Sequence, residues 1–346
     1  MRPKGGFSLL AAIVVLISCF QPAAYGQTSS PAFPGFFVTF DAPGAGRMAG
    51  QGTLALGINA SFTVTGFYSD GNGGIHSFIR TSAGSITVFD VPASLGTQAN
   101  SINGAGAVTG TYVDASGAMN SFLRVADGSI STFMVPGSES TLANAMNASG
   151  VVTGTYHTGT SSGGFVRHSD GSLVQFQVPG SVSTTSVSLS DAGEAIGYYV
   201  DSLGSTHGFL HGPDGVFSGF DPPGATGTFP VGINPDGLII GYFIDDTNSR
   251  RGFTRDAKGA IQIFEVGASH VTLPIGINPG GMITGYFLGS DRSAHGFLLG
   301  SNGNLVTFEA PGGENTYAVG VNAAGWAAGY FLDSFNGRYR GFIRLP

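Results

Sequence analysis

One pattern returns seven times along the chain: a Thr, six residues later an Asn, and seven residues after that a Gly ahead of aromatic residues. The Thr positions are Thr53, Thr97, Thr141, Thr184, Thr228, Thr272 and Thr316, and the Gly positions are Gly66, Gly110, Gly154, Gly197, Gly241, Gly285 and Gly329. The fourth unit alone replaces the Asn, with Ser190. Successive units are 43 or 44 residues apart, a spacing that belongs to stacked supersecondary units. A chain of 346 residues could hold two ordinary domains, but the period makes residues 36–346 one repeat domain.

Each unit divides into four short apolar segments. The stretch from Thr to Asn is always apolar at its fifth position after Thr (Ile58, Ile233, Val321) and always small at its fourth (Gly57, Ser101, Gly232), as suits a strand crowded on both faces. An Asn-x-x-Gly turn follows in most units, then a strand ending in Gly-Tyr-Phe or a variant, a loop that usually holds Asp, and a strand opening on a triplet such as His207-Gly208-Phe209. An Asp-Gly or Asn-Gly pair, as at Asp127-Gly128 and Asn302-Gly303, leads to the fourth strand with its repeated Phe. No long segment carries a helical stripe. The expectation is all-β, a seven-bladed β-propeller of four-stranded antiparallel blades.

The chain's two ends sharpen this. The seventh unit reaches Phe342-Ile343-Arg344 without a fourth strand, whereas Val38-Thr39-Phe40-Asp41-Ala42-Pro43-Gly44, ahead of the first unit, repeats Val306 to Gly312 with Asp for Glu. An N-terminal strand completing the last blade would close the ring and cover an exposed edge. The recurring Phe78, Phe122, Phe165, Phe209, Phe253, Phe297 and Phe342 read as packing between blades, each worth roughly 1.5–3 kcal/mol on burial.

Arg2 and Lys4, an apolar run from Leu9 to Phe20, and the small residues Ala23, Ala24 and Gly26 have the order of a secretory signal peptide. Residues 1–26 are expected to be removed, residues 27–35 to form a short linker, and the protein to be secreted, periplasmic or at the cell surface. Leu16-Ile17-Ser18-Cys19 resembles a bacterial lipobox, so lipidation at Cys19 is the alternative. Cys19 is also the sole cysteine, which leaves no disulfide. The formal charge of −7 disfavours nucleic acid and anionic membrane as partners, and no later apolar stretch reaches membrane-spanning length.

His76-Ser77-Phe78, His207-Gly208-Phe209 and His295-Gly296-Phe297 resemble the signature of the bacterial extracellular repeat family named after its His-Ala-Phe motif, with Asn120, Gly163, Arg251 and Arg340 at the His position elsewhere. The resemblance covers residues 36–346 and implies an exported repeat protein, with no catalytic residues to carry over.

Motifs for chemistry are sparse. Gly159-Thr160-Ser161-Ser162-Gly163 fits a nucleophile elbow and Gly44-Ala45-Gly46-Arg47-Met48-Ala49 a dinucleotide fingerprint, but neither precedes a helix, which both devices require. No cofactor is expected, and no His or Cys spacing marks a metal site. Asp70, Asp114, Asp201, Asp245 and Asp333 share one loop position and read as turn caps. The seven Thr either ring the mouth of an axial channel or bond the neighbouring backbone.

Departures from the repeat are the better guide to function. The link from the repeated Phe to the next Thr is eight residues everywhere except between Phe40 and Thr53, where it is thirteen and includes Arg47 and Met48. The last unit's second loop is one residue longer and carries Phe335, Arg338 and Tyr339. Topology puts these on the long-loop face with His157, Arg250, Arg251, His270, Arg292, Glu314 and Tyr317. The sequence therefore points to a monomeric, non-catalytic propeller that binds a carbohydrate or surface protein there. A glycan hydrolase or lyase is the alternative, disfavoured because no first strand holds Asp or Glu between Thr and Asn.

Overall fold

The computed structural model describes residues 35–159 and 161–346; the expected signal peptide over residues 1–26 with Cys19, and the expected linker up to residue 34, lie outside them. Among the described residues there are 28 strands and no helix. The strands pair in fours as antiparallel meanders. In unit five, Ala225–Ile233, Ile239–Asp245, Arg250–Arg255 and Ile261–Phe264 pair in that order. The last three strands, Gly313–Val321, Ala327–Asp333 and Tyr339–Arg344, are joined by Phe37–Phe40, which pairs antiparallel with the third in the register Phe37 to Arg344 and Phe40 to Gly341.

The repeated Gly and the repeated small residue have one cause. Each first strand carries a bulge against the second, for example between Ala55 and Gly57 and between Pro274 and Gly276. A Cβ added at Gly66, Gly241 or Gly285 would run into the carbonyl oxygen of Leu54, Phe229 or Leu273 on the facing strand. The small residue just past the bulge lies against the next unit: a Cβ on Gly57 would meet Ile102 at 3.2 Å, and one on Gly232 would meet Ile277 at 3.2 Å.

The core lies between units. Each repeated Phe of a third strand is fully buried and meets, edge to face, the fourth-strand Phe of the preceding unit, as in Phe89 with Phe122 at 5.9 Å and Phe220 with Phe253 at 6.1 Å. The same pairing joins Phe40 to Phe78 at 5.8 Å. In five of the seven units an Arg two residues beyond the third-strand Phe covers that same fourth-strand ring, among them Arg80 over Phe40 at 5.1 Å, Arg124 over Phe89 at 5.0 Å and Arg344 over Phe308 at 4.9 Å, and unit six has Leu299 there. In unit four His211 takes the place, stacked on Phe176 at 4.4 Å, and burial lowers its pKa.

The repeated Asn ties one turn to the next. Its Oδ1 accepts amides of its own turn, as Asn103 does from Ala105 and Ala107, while its Nδ2 donates to the backbone of the following unit, from Asn59 to the Asn103 carbonyl at 3.0 Å and from Asn278 to that of Asn322 at 2.8 Å. The backbone twist of the turn falls on its Gly, such as Gly106 with φ 82°, or on Phe62 in unit one with φ 60°.

Candidate functional site

The seven Thr do not open onto a channel. All are buried, and in six units the hydroxyl accepts a backbone amide from the preceding connection, from Ala42 to Thr53 at 2.8 Å through Val91 to Thr97 at 3.0 Å. Unit five is instructive: Pro222 stands where the donor should be and has no N–H, so Thr228 donates instead to Asp221. The axial ring of Thr hydroxyls is thus corrected to a set of backbone ties, which follows from the need to pair buried amides.

The His position of the repeat is a bridge between carboxylates. His207 Nδ1 lies 2.8 Å from Asp221 and its Nε2 3.4 Å from Asp201; His76 sits 2.7 Å from Asp90, and His295 2.7 Å from Glu309. Asn120 donates to Asp114 at 2.9 Å, and Arg251 reaches Asp245 and Glu265, both at 2.9 Å. The loop Asp caps its turn with its other oxygen, as Asp245 does for Thr247 and Ser249. The Thr247 hydroxyl and these amides hold the Asp245 carboxyl below its ordinary range, while the hydrogen bond to Asp221 raises the pKa of His207. Arg251 is therefore part of the framework of its unit. Among the described residues no group of three His, Cys, Asp or Glu is placed to hold a metal ion.

On the long-loop face the two departures from the repeat meet. The insertion after Phe40 and the loop before Tyr339 share a cleft of about 490 Å³, lined by Asp41, Pro43, Gly44, Arg47, Asn336 and Arg338. Arg338 pairs with Asp41 at 3.0 Å, Arg340 approaches the same carboxylate at 3.4 Å, and the Gly50 amide donates to the Gly337 carbonyl at 2.9 Å, so loop and insertion are fastened together. Beside them Met48 is 69% and Phe335 93% exposed. Large apolar side chains left that open are candidates for contact.

Other candidates are spread around the face. His157, Arg292 and Glu314 are exposed, on units three, six and seven. His270, with φ 58°, lies 3.5 Å from Glu265, and its carbonyl accepts the Arg250 amide at 2.8 Å. Tyr317 and Tyr339 belong to a run of rings: Tyr198 to Phe229 at 5.3 Å, Phe229 to Tyr242 at 4.9 Å, Tyr286 to Tyr317 at 5.0 Å, Tyr317 to Tyr330 at 5.0 Å and Tyr330 to Tyr339 at 5.7 Å. Leu273 fills the gap between Tyr242 and Tyr286. Burial pushes the Tyr242 and Tyr317 hydroxyls up to about 12, with neighbouring Tyr hydroxyls adding to the effect, while Arg250 acts the other way on Tyr242.

No protein-family model and no curated protein matches the chain. Solved structures do resemble it. A streptogramin B lyase aligns over 90% of this chain and 98% of its own at a TM-score of 0.58 and 15% identity. A catalytically inactive virginiamycin B lyase from Staphylococcus aureus, with quinupristin, gives 90%, 100%, 0.58 and 15% for the same measures. The β-propeller domain of the Trilobed protease from Pyrococcus furiosus, described as having an open velcro topology, covers 84% of this chain and 96% of its own at a TM-score of 0.60 and 8% identity. The fold is a β-propeller. At such identities the likeness reaches the fold and no further. Among the described residues no helix is long and apolar enough to cross a membrane.

Proposed function

We propose that this chain is an exported, non-catalytic, seven-bladed β-propeller of the His-Ala-Phe repeat type that binds a carbohydrate or a surface-protein partner through its long-loop face. The ring reading is supported by contacts that run from the last unit to the first: Phe37–Phe40 on Tyr339–Arg344, the Asn322 amide group on the Asn59 carbonyl at 3.2 Å, and the Phe40 to Phe78 pair. Export rests on the leader-like order of residues 1–26, with Cys19 lipidation as its alternative.

The observation that carries the binding reading is the cleft where the insertion and the longer loop meet. Repetition accounts for the scaffold, and these two segments are the ones that leave it; they converge on a concave site with Arg47, Asn336 and Arg338 in its wall. The test is a binding screen of residues 27–346 against glycans and surface extracts, repeated with the Gly44 to Gly52 segment shortened to the length of the other links. Weakened capture by the shortened protein is expected, and capture untouched by that change would remove the cleft from the proposal. Turnover of a polysaccharide would replace binding with hydrolysis or lysis.

A further inference from the structure

We propose that the run of rings from Tyr198 to Tyr339 is a glycan subsite, on which a pyranose ring stacks; this deepens the binding reading above and rests on it. Phe229 pairs with Tyr242, Leu273 with Tyr286, Tyr317 with Tyr330 and Thr185 with Tyr198, each directly after the repeated Thr and the repeated Gly. Phe229 and Tyr317 stand midway along the first strands Ala225–Ile233 and Gly313–Val321, and Tyr242 and Tyr330 midway along the second strands Ile239–Asp245 and Ala327–Asp333.

The scaffold does not need aromatic residues there. The same paired places hold Gln98 with Thr111 in unit two and Leu142 with Thr155 in unit three. Those units keep the same bulge, the same buried Thr and the same edge-to-face Phe contacts with small or flexible side chains. Aromatic residues therefore accumulate on one arc, from unit four through unit seven to Phe67, opposite Leu54, in unit one, for a reason other than pairing of the strands.

Tyr198, Phe229, Tyr317 and Tyr339 are half-buried, so their rings are fixed by neighbours yet keep part of their surface open. A rigid ring with an open face and, in the Tyr, a hydroxyl at its tip offers both an apolar plane and a polar handle. Pyranoses present the matching pair, a face of C–H groups and a rim of hydroxyls. Tyr242 stacks on Phe229 at 4.9 Å and holds that ring in place.

The experiment measures binding of cellohexaose, xylohexaose, chitohexaose and oligogalacturonate to residues 27–346 by calorimetry, with Tyr317→Leu, Phe229→Leu and Arg47→Ala variants. Leu keeps apolar bulk and removes the aromatic plane. Tyr317→Leu and Phe229→Leu are each expected to weaken the bound oligosaccharide at least about tenfold. Affinity within about twofold of the unsubstituted protein, with loss confined to Arg47→Ala, would overturn the subsite and leave the cleft standing. Binding of no oligosaccharide alongside capture of a surface protein would overturn it too; binding of neither would remove the parent reading. If either Leu variant misfolds, hydroxyl-radical footprinting of the unsubstituted protein decides. Saturating oligosaccharide should protect Tyr317, Tyr339 and Phe229, and protection restricted to residues 43–48 and 335–338 would reject the proposal.

Discussion

At the scale of single residues, the repeated Thr is a donor-matching device, and its cost can be isolated. Thr141→Val keeps the shape but leaves the buried Val135 amide, now 2.9 Å from the hydroxyl, without an acceptor. An orphaned buried donor costs about 1–3 kcal/mol, so urea unfolding should register a loss of that order. Thr228→Val is the internal control: Pro222 has no amide to orphan and the abandoned Asp221 is partly exposed, so the loss should be clearly smaller. Equal losses would refute the amide argument. His207 makes a second prediction. Its folded pKa is raised by the hydrogen bond to Asp221, so the contribution is complete below the unfolded value of about 6.5 and disappears as pH rises through the higher folded value. The stability gap between the protein and its His207→Asn variant, from thermal melts, should therefore be wider at about pH 6 than at about pH 8. A gap that widens with pH would reverse the assignment. Of these contacts, the Thr position and the loop Asp caps were readable beforehand, because both are local. The Arg that covers a Phe from the preceding unit was not, since about 35–40 residues separate partners and the alternation of a strand does not say which neighbour a long side chain will reach.

At the scale of strands, the repeated Gly illustrates what sequence leaves open. The repeat places it on a strand but gives no reason for Gly there; Gly285 is required because the bulge on the facing strand brings the Leu273 carbonyl to the place of a Cβ. The obstruction is backbone and not the end of a flexible side chain, so it cannot move aside cheaply. Gly285→Ala is expected to cost about 3 kcal/mol, at the upper end of overpacking losses. Gly71→Ala, in a loop with no atom within 4 Å of the new Cβ, should stay within about 0.5 kcal/mol of the parent. Denaturant midpoints of the two proteins decide the matter, and a tolerated Gly285→Ala would mean the bulge can shift register. The run of rings was hidden for a related reason. Phe229 and Tyr242 are thirteen residues apart and become neighbours only once the bulged register is known, and the remaining rings are a whole unit away. The loop departures were legible because a change of length in a periodic chain needs no register to be seen.

At the scale of the whole molecule, the pairing of the N-terminal strand with the last unit was the most legible feature, because a seven-residue string near one end nearly repeats the string that completes the preceding unit. Pairing of Phe37 with Arg344 and Phe40 with Gly341 matches that of Ile86 with Arg80 and Phe89 with Ser77 in unit one, so the split unit and a continuous one have the same register. That identity allows a demanding test. If residues 36–43 serve only as the fourth strand of the last unit, they can be moved: a permuted chain would begin at Gly44, run to Arg344, continue through the turn sequence of residues 81–85 and finish with residues 37–43. The antiparallel pairing means the new connection is an ordinary hairpin. Its melting temperature should stay within about 5 °C of the natural order, given that each kcal/mol moves domains of 150–250 residues by roughly 2–4 °C. A chain from which residues 36–43 are simply deleted loses the Phe40 contact with Phe78, the platform under Arg80, and the cover over the edge of Tyr339–Arg344. It should melt far lower or aggregate through that edge. A deletion variant as stable as the full chain would show that the terminal strand decorates the molecule and does not close it.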